Sequence, residues 1–296
     1  MKTPLRLKAP RREKVFAVVP TLLTLGNTVC GFGSITFAAK VAPGVTEGND
    51  LLTPLWVAGL LVLAAMIFDV LDGHAARLTH QTSDFGAYLD SLSDAISFGV
   101  APAFIMLQML KLPQVHGLFH PRILWVVAVL YVICAVLRLA RFNVETDEED
   151  SHDAFSGLPS PAAAGMVASL AIALPDLAQL ANPSEPELTR SIGRFLMKAV
   201  AIGLPVVVFA TACLMVSRIR YPHVFNQVFR GRRSFQHLRQ LIFAIVVVFA
   251  VKELAVPLIF GYFVLASPIR AVWTRAAAHW HGKADAQRAE SPPPAF

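Results

Sequence analysis

At 296 residues, with 55% hydrophobic and only 16% charged side chains, this chain differs from a soluble protein, in which about 25% of residues are charged. This composition predicts an all-α polytopic membrane protein. The net charge of +6 could suggest nucleic-acid binding. However, the basic residues lie at the ends of apolar runs and in loops, where the positive-inside rule and anionic lipids explain them. We therefore expect membrane lipids and no nucleic acid among the partners.

Five segments follow one another along the chain. They are a basic cytoplasmic or interfacial lead-in, a membrane core of six helices, a basic cytoplasmic loop, a C-terminal helical hairpin and a polar tail that we expect to be disordered. Their predicted bounds are residues 1–14, 15–216, 217–239, 240–269 and 270–296.

Six apolar runs make up the predicted core: residues 15–39, 54–77, 87–110 and 123–142, a run that ends near residue 174, and residues 195–216. The later runs, 241–251 and 255–266, are each short for a span, which needs about 20 residues. Both ends of the chain are basic, which predicts cytoplasmic termini and an even number of spans. We therefore expect about eight transmembrane helices, in a membrane of the bacterial inner (cytoplasmic) type.

The most informative stretch runs from Asp69 to Asp94 and contains four carboxylates between two uncharged runs. Asp69 and Asp72 are three residues apart, and Asp90 and Asp94 are four apart, so each pair lies on one face of a helix. An ionised Asp in a membrane segment costs about 2.5–3.5 kcal/mol, so a cation should accompany the four. Oxygen ligands of this kind predict a hard divalent cation, Mg²⁺ or Mn²⁺, with phosphate oxygens completing its coordination.

Three further residues in this stretch suit a phosphorylated ligand. Gly73 and Gly86 place no side chain beside the two carboxylate pairs, so a helix or a ligand can approach closely. Arg77 lies about one turn beyond Asp72, where a guanidinium suits a phosphate oxygen. The residues therefore predict a metal site that also binds a diphosphate, on the cytoplasmic side.

The pattern D-x2-D-G-x2-A-R-x8-G-x3-D-x3-D resembles the signature of the CDP-alcohol phosphotransferases. Every fixed position is filled, by Asp69, Asp72, Gly73, Ala76, Arg77, Gly86, Asp90 and Asp94. The resemblance implies that an acceptor hydroxyl displaces CMP from a CDP-linked lipid. It also implies that the core of residues 15–216 is catalytic.

Roles for the motif residues follow from this resemblance. Asp69, Asp72 and Asp90 would be metal ligands, and Asp94 would be the general base, with a contact to a second metal left open. The family's pattern also implies a CDP-binding group, to which the start of the helix near Gly86 could add N–H donors for phosphate. The members of that group are Gly73, Ala76, Arg77 and Gly86.

Residues 85–102, 137–143 and 157–164 resemble one group within this family, the membrane-bound phosphatidylserine synthases. This resemblance implies CDP-diacylglycerol and L-serine as substrates, and a homodimer. Because serine carries a carboxylate, Arg138 and Arg141 are candidates for its recognition. Anchoring of the helix end at the membrane surface is the alternative interpretation. Glycerol 3-phosphate, inositol phosphate and choline remain alternative acceptors.

Two asparagines are further candidates for contact with substrate, Asn27 and Asn143. Asn27 lies in a first span that is unusually polar, and hydrogen bonding between helices explains it equally well. A cation transporter is a distant alternative to the enzyme, because acidic residues within a membrane can form an ion path. A transporter, however, would have acids spread through the membrane depth, whereas these are clustered at one end.

Overall fold

The computed structural model describes residues 11–41, 52–78, 84–112, 117–146, 155–221, 254–270 and 273. Eight α-helices account for most of these residues. They are α1 (Arg11–Ala38), α2 (Leu52–Leu78), α3 (Asp84–Asp94), α4 (Ala101–Met109), α5 (Pro121–Thr146), α6 (Ser160–Leu180), α7 (Glu187–Val216) and α8 (Ala255–Arg270).

Six candidate membrane spans occur in the described part of the chain, with α3 and α4 belonging to the same span. They are Val18–Ala38, Leu52–Ala76, Phe85–Met109, Pro121–Val144, Ser160–Leu180 and Glu187–Val216. The protein is therefore an integral membrane protein, and the predicted all-α polytopic class is confirmed.

The predicted total of eight transmembrane helices stays a prediction. α8 contains the second short apolar run, whereas residues 241–251 lie outside the described residues. Most of the basic loop and tail, and residues 1–10 of the lead-in, also lie outside them.

Two helix bounds differ most from the sequence-based expectation. We expected the fifth span to end near residue 174 and the sixth to begin at residue 195. Instead, α6 continues through Pro175 to Leu180, and α7 begins at Glu187. Membrane helices tolerate an internal proline because neighbouring groups can satisfy the freed backbone carbonyl. Here Leu177, beyond the proline, is buried, so packing supports the added turns.

A π-helical segment, Ala95–Val100, joins α3 to α4 immediately after Asp94. Its wider turn shifts the register of the side chains that follow. The Tyr131 hydroxyl of α5 donates to the Phe98 carbonyl at 3.2 Å, and the Ser97 hydroxyl donates to the Asn27 carbonyl of α1 at 2.9 Å. The segment is thus held from two sides, whereas the sequence predicted a regular helix.

Gly31 allows α1 to lie directly against this π-helical segment. A Cβ atom at this position would lie 2.8 Å from the Ser97 Cα atom, which is closer than Cβ atoms approach other atoms in proteins. Only glycine therefore permits the two backbones to approach so closely. The contact brings the polar side chains of α1 next to α3.

Two short strands, β1 (Phe155–Ser156) and β2 (Arg220–Tyr221), pair in antiparallel register and connect the start of α6 to the end of α7. Gly157 follows β1 with φ +89°, a conformation that favours glycine, and its N–H donates to the Ile219 carbonyl at 2.9 Å. The buried hydroxyl of Tyr221 donates to the Val264 carbonyl of α8 at 3.3 Å. These contacts fix the position at which α6 begins.

Candidate active site

Four carboxylates meet where the second span ends and the third begins. Asp69 and Asp72 lie in the second half of α2, and Asp90 and Asp94 lie in the second half of α3. One ligand oxygen from each of Asp69, Asp72 and Asp90 lies within 4.8 Å of the other two. All four acids therefore lie at one end of the spans and are not distributed through the membrane depth.

The three grouped carboxylates fit a divalent cation. One oxygen of Asp72 and one of Asp90, Oδ2 and Oδ1 respectively, are buried and have no hydrogen-bond partner among the described residues. Buried carboxylate oxygens without donors cost free energy, and like charges at this separation repel. A cation would offset both costs, and a donor set made only of oxygen selects a hard ion. Such donors suit Mg²⁺ and Mn²⁺ alike.

Asp94 has different surroundings. It is 7% exposed, and its Oδ1 atom accepts a hydrogen bond of 2.9 Å from the side-chain amide of Asn27 on α1. Asn27 itself is fully buried. On the adjacent residues of the same two helices, the hydroxyls of Thr28 and Ser93 are 2.7 Å apart. α1 therefore forms a third wall of the site, in contact with the carboxylate that the family resemblance assigns as the base.

A cationic side chain lies on the α5 side of the site. Arg138 is half-buried, and its charge interacts with that of Asp94. Its Nη1 atom donates to the hydroxyl of Ser160, the first residue of α6, at 3.1 Å. Its Nε atom is buried without a hydrogen-bond partner among the described residues. The structure thus places a guanidinium on the α5 side of the site, within electrostatic range of the predicted base.

Comparison with known proteins identifies this arrangement. A sequence model of the CDP-alcohol phosphatidyltransferase family matches residues 17–209, which include all four carboxylates. The chain belongs to this family. α8 lies beyond the matched residues.

Several relatives of known name are similar to this CDP-alcohol phosphatidyltransferase. A CDP-diacylglycerol–serine O-phosphatidyltransferase from Helicobacter pylori is 36% identical over 204 residues, which are 69% of this chain and 71% of the relative. A protein of the same name from Methanocaldococcus jannaschii is 37% identical over 181 residues, 61% of this chain and 71% of the relative. An archaetidylserine synthase from Methanothermobacter thermautotrophicus is 34% identical over 212 residues, 71% of each chain.

The residues that we predicted to bind the CDP group lie around the connection between α2 and α3. Gly73 and Ala76 belong to the last two turns of α2, and Gly86 is the third residue of α3. The backbone of Arg77 continues α2, whereas its side chain and residues 79–83 lie outside what the structure describes. The predicted contact of Arg77 with the diphosphate therefore stays a prediction.

The two remaining candidates also lie on α5. Arg141 is half-buried, one turn after Arg138. The side chain of Asn143 is hydrogen-bonded to the Ser91 hydroxyl of α3, with its Nδ2 atom 3.0 Å from Oγ. Asn143 thus joins α5 to α3 next to Asp90.

Some contacts around the site were not predicted from the sequence. No role was assigned to Ser160, although it lies in the segment 157–164 that carries part of the resemblance, and the pairing of Thr28 with Ser93 was not foreseen. A signal existed in α1, where Asn27 and Thr28 interrupt an apolar run. Helical spacing indicates that such residues face a neighbour, but it does not indicate which neighbour.

Proposed function

We propose that this protein transfers the phosphatidyl group from CDP-diacylglycerol to L-serine, forming phosphatidylserine and CMP. The observation that carries this proposal is the pairing of two features at one site. A group of three carboxylates suited to a metal and a diphosphate lies on one side. The half-buried guanidinium of Arg138 lies on the α5 side, within electrostatic range of Asp94. The names of the relatives agree with a serine acceptor.

The carboxylates divide into two roles in this proposal. Asp69, Asp72 and Asp90 hold a divalent cation, Mg²⁺ or Mn²⁺, which when bound neutralises charge on the diphosphate. Asp94 is the general base, since it lies outside the group of three and keeps an oxygen that is not bonded to Asn27. A base must lie within hydrogen-bond reach of the proton that it accepts.

The chemical step is a direct displacement. The serine hydroxyl gives its proton to Asp94 as its oxygen forms a bond to the phosphorus that carries the diacylglycerol group. The bond from that phosphorus to the bridging diphosphate oxygen breaks, and CMP leaves with this oxygen. Asp94 then releases the proton to water, which returns the enzyme to its starting state.

The other candidate residues bind the substrates in this proposal. Gly73, Ala76, Arg77 and Gly86 line the CDP group, where the two glycines leave room beside the diphosphate. Arg138 or Arg141 binds the serine carboxylate, because a guanidinium can form paired hydrogen bonds with it. Asn143 remains a candidate contact at the edge of the site.

The cellular setting is also part of the proposal. The distribution of basic residues supports cytoplasmic termini and a cytoplasmic active site in a bacterial inner membrane. The segments 1–14, 217–239 and 270–296 would all lie on that side, and 240–269 would cross twice. A homodimer is the assembly that the family resemblance supports.

An acceptor assay tests the proposal. Purified protein in mixed micelles with CDP-diacylglycerol is offered serine, glycerol 3-phosphate, inositol phosphate or choline, and both CMP release and lipid product are measured. We expect CMP and phosphatidylserine in equal amounts with serine, and no CMP without an acceptor. Turnover with another acceptor and none with serine would reject the serine assignment but retain the displacement chemistry. Asp94→Asn is the control for CMP release that does not depend on the active site.

A further inference from the structure

Asn27 is held at two points against the segment that carries Asp94. Its side-chain Nδ2 atom donates to Asp94 Oδ1 at 2.9 Å, and its backbone carbonyl accepts from the Ser97 hydroxyl at 2.9 Å. The two contacts lie on either side of the junction between α3 and the π-helical segment. The position of the Asn27 amide is therefore defined by α3 and the π-helical segment as well as by α1.

The amide of Asn27 is oriented so that its NH2 group, and not its oxygen, faces the Asp94 carboxylate. The Oδ1 atom of Asn27 is buried and has no hydrogen-bond partner among the described residues, which costs free energy. Rotating the amide would place this oxygen against the Asp94 carboxylate, where both atoms are acceptors. Packing of α1 against α3 does not require such an amide, and the neighbouring pair Thr28 and Ser93 already joins the two helices.

We propose that Asn27 is a positioning residue for Asp94. By binding Oδ1, its amide stops the carboxylate from turning towards the group formed by Asp69, Asp72 and Asp90, and leaves the second oxygen to accept the proton of the substrate hydroxyl. Asn27 thereby keeps one of four clustered carboxylates available as a base. This inference rests on the role of Asp94 in the proposed function.

The proposal predicts a specific kinetic pattern. Asn27→Leu keeps the branched shape of the side chain but removes the donor, and Asn27→Ala serves if the larger leucine prevents folding. We expect kcat of Asn27→Leu to fall about ten- to a hundredfold, because the variant loses a hydrogen bond to a charged group. The KM values for serine and CDP-diacylglycerol should stay within about twofold of wild type, because neither substrate loses a contact. Mn²⁺ affinity of the protein without substrates, measured by electron paramagnetic resonance, should not weaken.

Thr28→Val is the matched control. It removes the neighbouring hydrogen bond between α1 and α3 without touching a carboxylate, and it should retain kcat close to wild type. An equal loss in Thr28→Val and Asn27→Leu would show that Asn27 only joins the helices, and the proposal would be wrong. A higher serine KM or a weaker affinity for Mn²⁺ in Asn27→Leu would instead make Asn27 a ligand contact and also reject it.

Asp94→Asn separates this inference from the function on which it rests. If Asp94→Asn is inactive and both Asn27 variants turn over like wild type, only the positioning role is wrong. If Asp94→Asn and the Asn27 variants all keep wild-type kcat, Asp94 is not the base, and the positioning role falls with that assignment. If Asp94→Asn and the Asn27 variants lose kcat while Thr28→Val stays active, the result supports both Asp94 as the base and Asn27 as its positioning residue.

Discussion

The guanidinium of Arg138 donates from Nη1 to the hydroxyl of Ser160, 3.1 Å away, and so joins α5 to the first residue of α6. Ser160 is held by the preceding turn, in which the N–H groups of Gly157 and Leu158 bond to carbonyls at and beyond the end of α7. This leaves the buried Nε atom of Arg138 free of hydrogen bonds within the described chain. A substrate carboxylate would give the guanidinium a second, charged partner.

Removal of this guanidinium should weaken serine recognition selectively. In Arg138→Ala we expect the serine KM to rise about ten- to a hundredfold, because a hydrogen bond to a charged group contributes roughly 1.5–3 kcal/mol. kcat should change little if the contact is equal in ground and transition states. Arg138→Lys should restore only part of the affinity, since an ammonium cannot form the paired hydrogen bonds. Steady-state kinetics with both substrates varied measures these values.

Three variants serve as comparisons in the same assay. Ser160→Ala keeps the guanidinium but removes its partner, and should raise the serine KM by about two- to tenfold. Arg141→Ala tests the second candidate on α5. Arg77→Ala should instead raise the KM for CDP-diacylglycerol. If Arg138→Ala and Arg141→Ala both keep the wild-type serine KM, or lose CDP-diacylglycerol binding instead, the acceptor assignment is wrong.

The three grouped carboxylates should make the enzyme dependent on a divalent cation. We expect EDTA to abolish turnover and Mg²⁺ or Mn²⁺ to restore it, because the unpartnered oxygens of Asp72 and Asp90 have no protein donor among the described residues. Asp69→Asn and Asp90→Asn should lose Mn²⁺ affinity as well as rate, since each removes a charged ligand. Asp176→Asn, on α6 outside this group, is the control. Full activity in EDTA would contradict the metal site.

A methyl group at position 31, one turn after Asn27 on the same face of α1, should disturb the site. In Gly31→Ala the new Cβ would meet the backbone of Ser97, so α1 must move from the π-helical segment, at a cost of about 1–3 kcal/mol. We expect a lower unfolding temperature in detergent and a lower kcat. Gly203→Ala is the matched control, because no neighbouring atom lies within 4 Å of its new Cβ. Equal unfolding temperatures for the two variants would argue against the close contact.

The number of spans can be tested by cysteine labelling. After replacement of Cys30, Cys134 and Cys213, single cysteines near positions 45, 116, 182 and 253 should react with an impermeant reagent from outside the cell. Cysteines near positions 80, 150, 230 and 285 should react only after the membrane is opened. This pattern requires eight crossings and cytoplasmic termini. Labelling from outside at position 285 would give an odd number of spans and reject this topology.

The amino-acid sequence alone determined the class of the protein and which acidic residues are the candidates for its site. Long uncharged runs can cross a membrane only as helices or barrels, so the class follows from hydropathy and length. The spacing of Asp69, Asp72, Asp90 and Asp94 is local, and helical geometry converts it directly into shared faces. For this reason the sequence is sufficient to place each pair of carboxylates on one face of its helix.

Only the tertiary structure decided how these carboxylates differ from one another. Asn27 contacts Asp94 across 67 residues of sequence, and Arg138 contacts Ser160 from a different helix. Such pairs depend on how helices rotate and cross, which is set by side-chain packing over the whole core and not by periodicity in one segment. The π-helical segment and the close approach at Gly31 have the same origin, because each is stabilised by contacts with other helices and has no signature of its own in the local sequence.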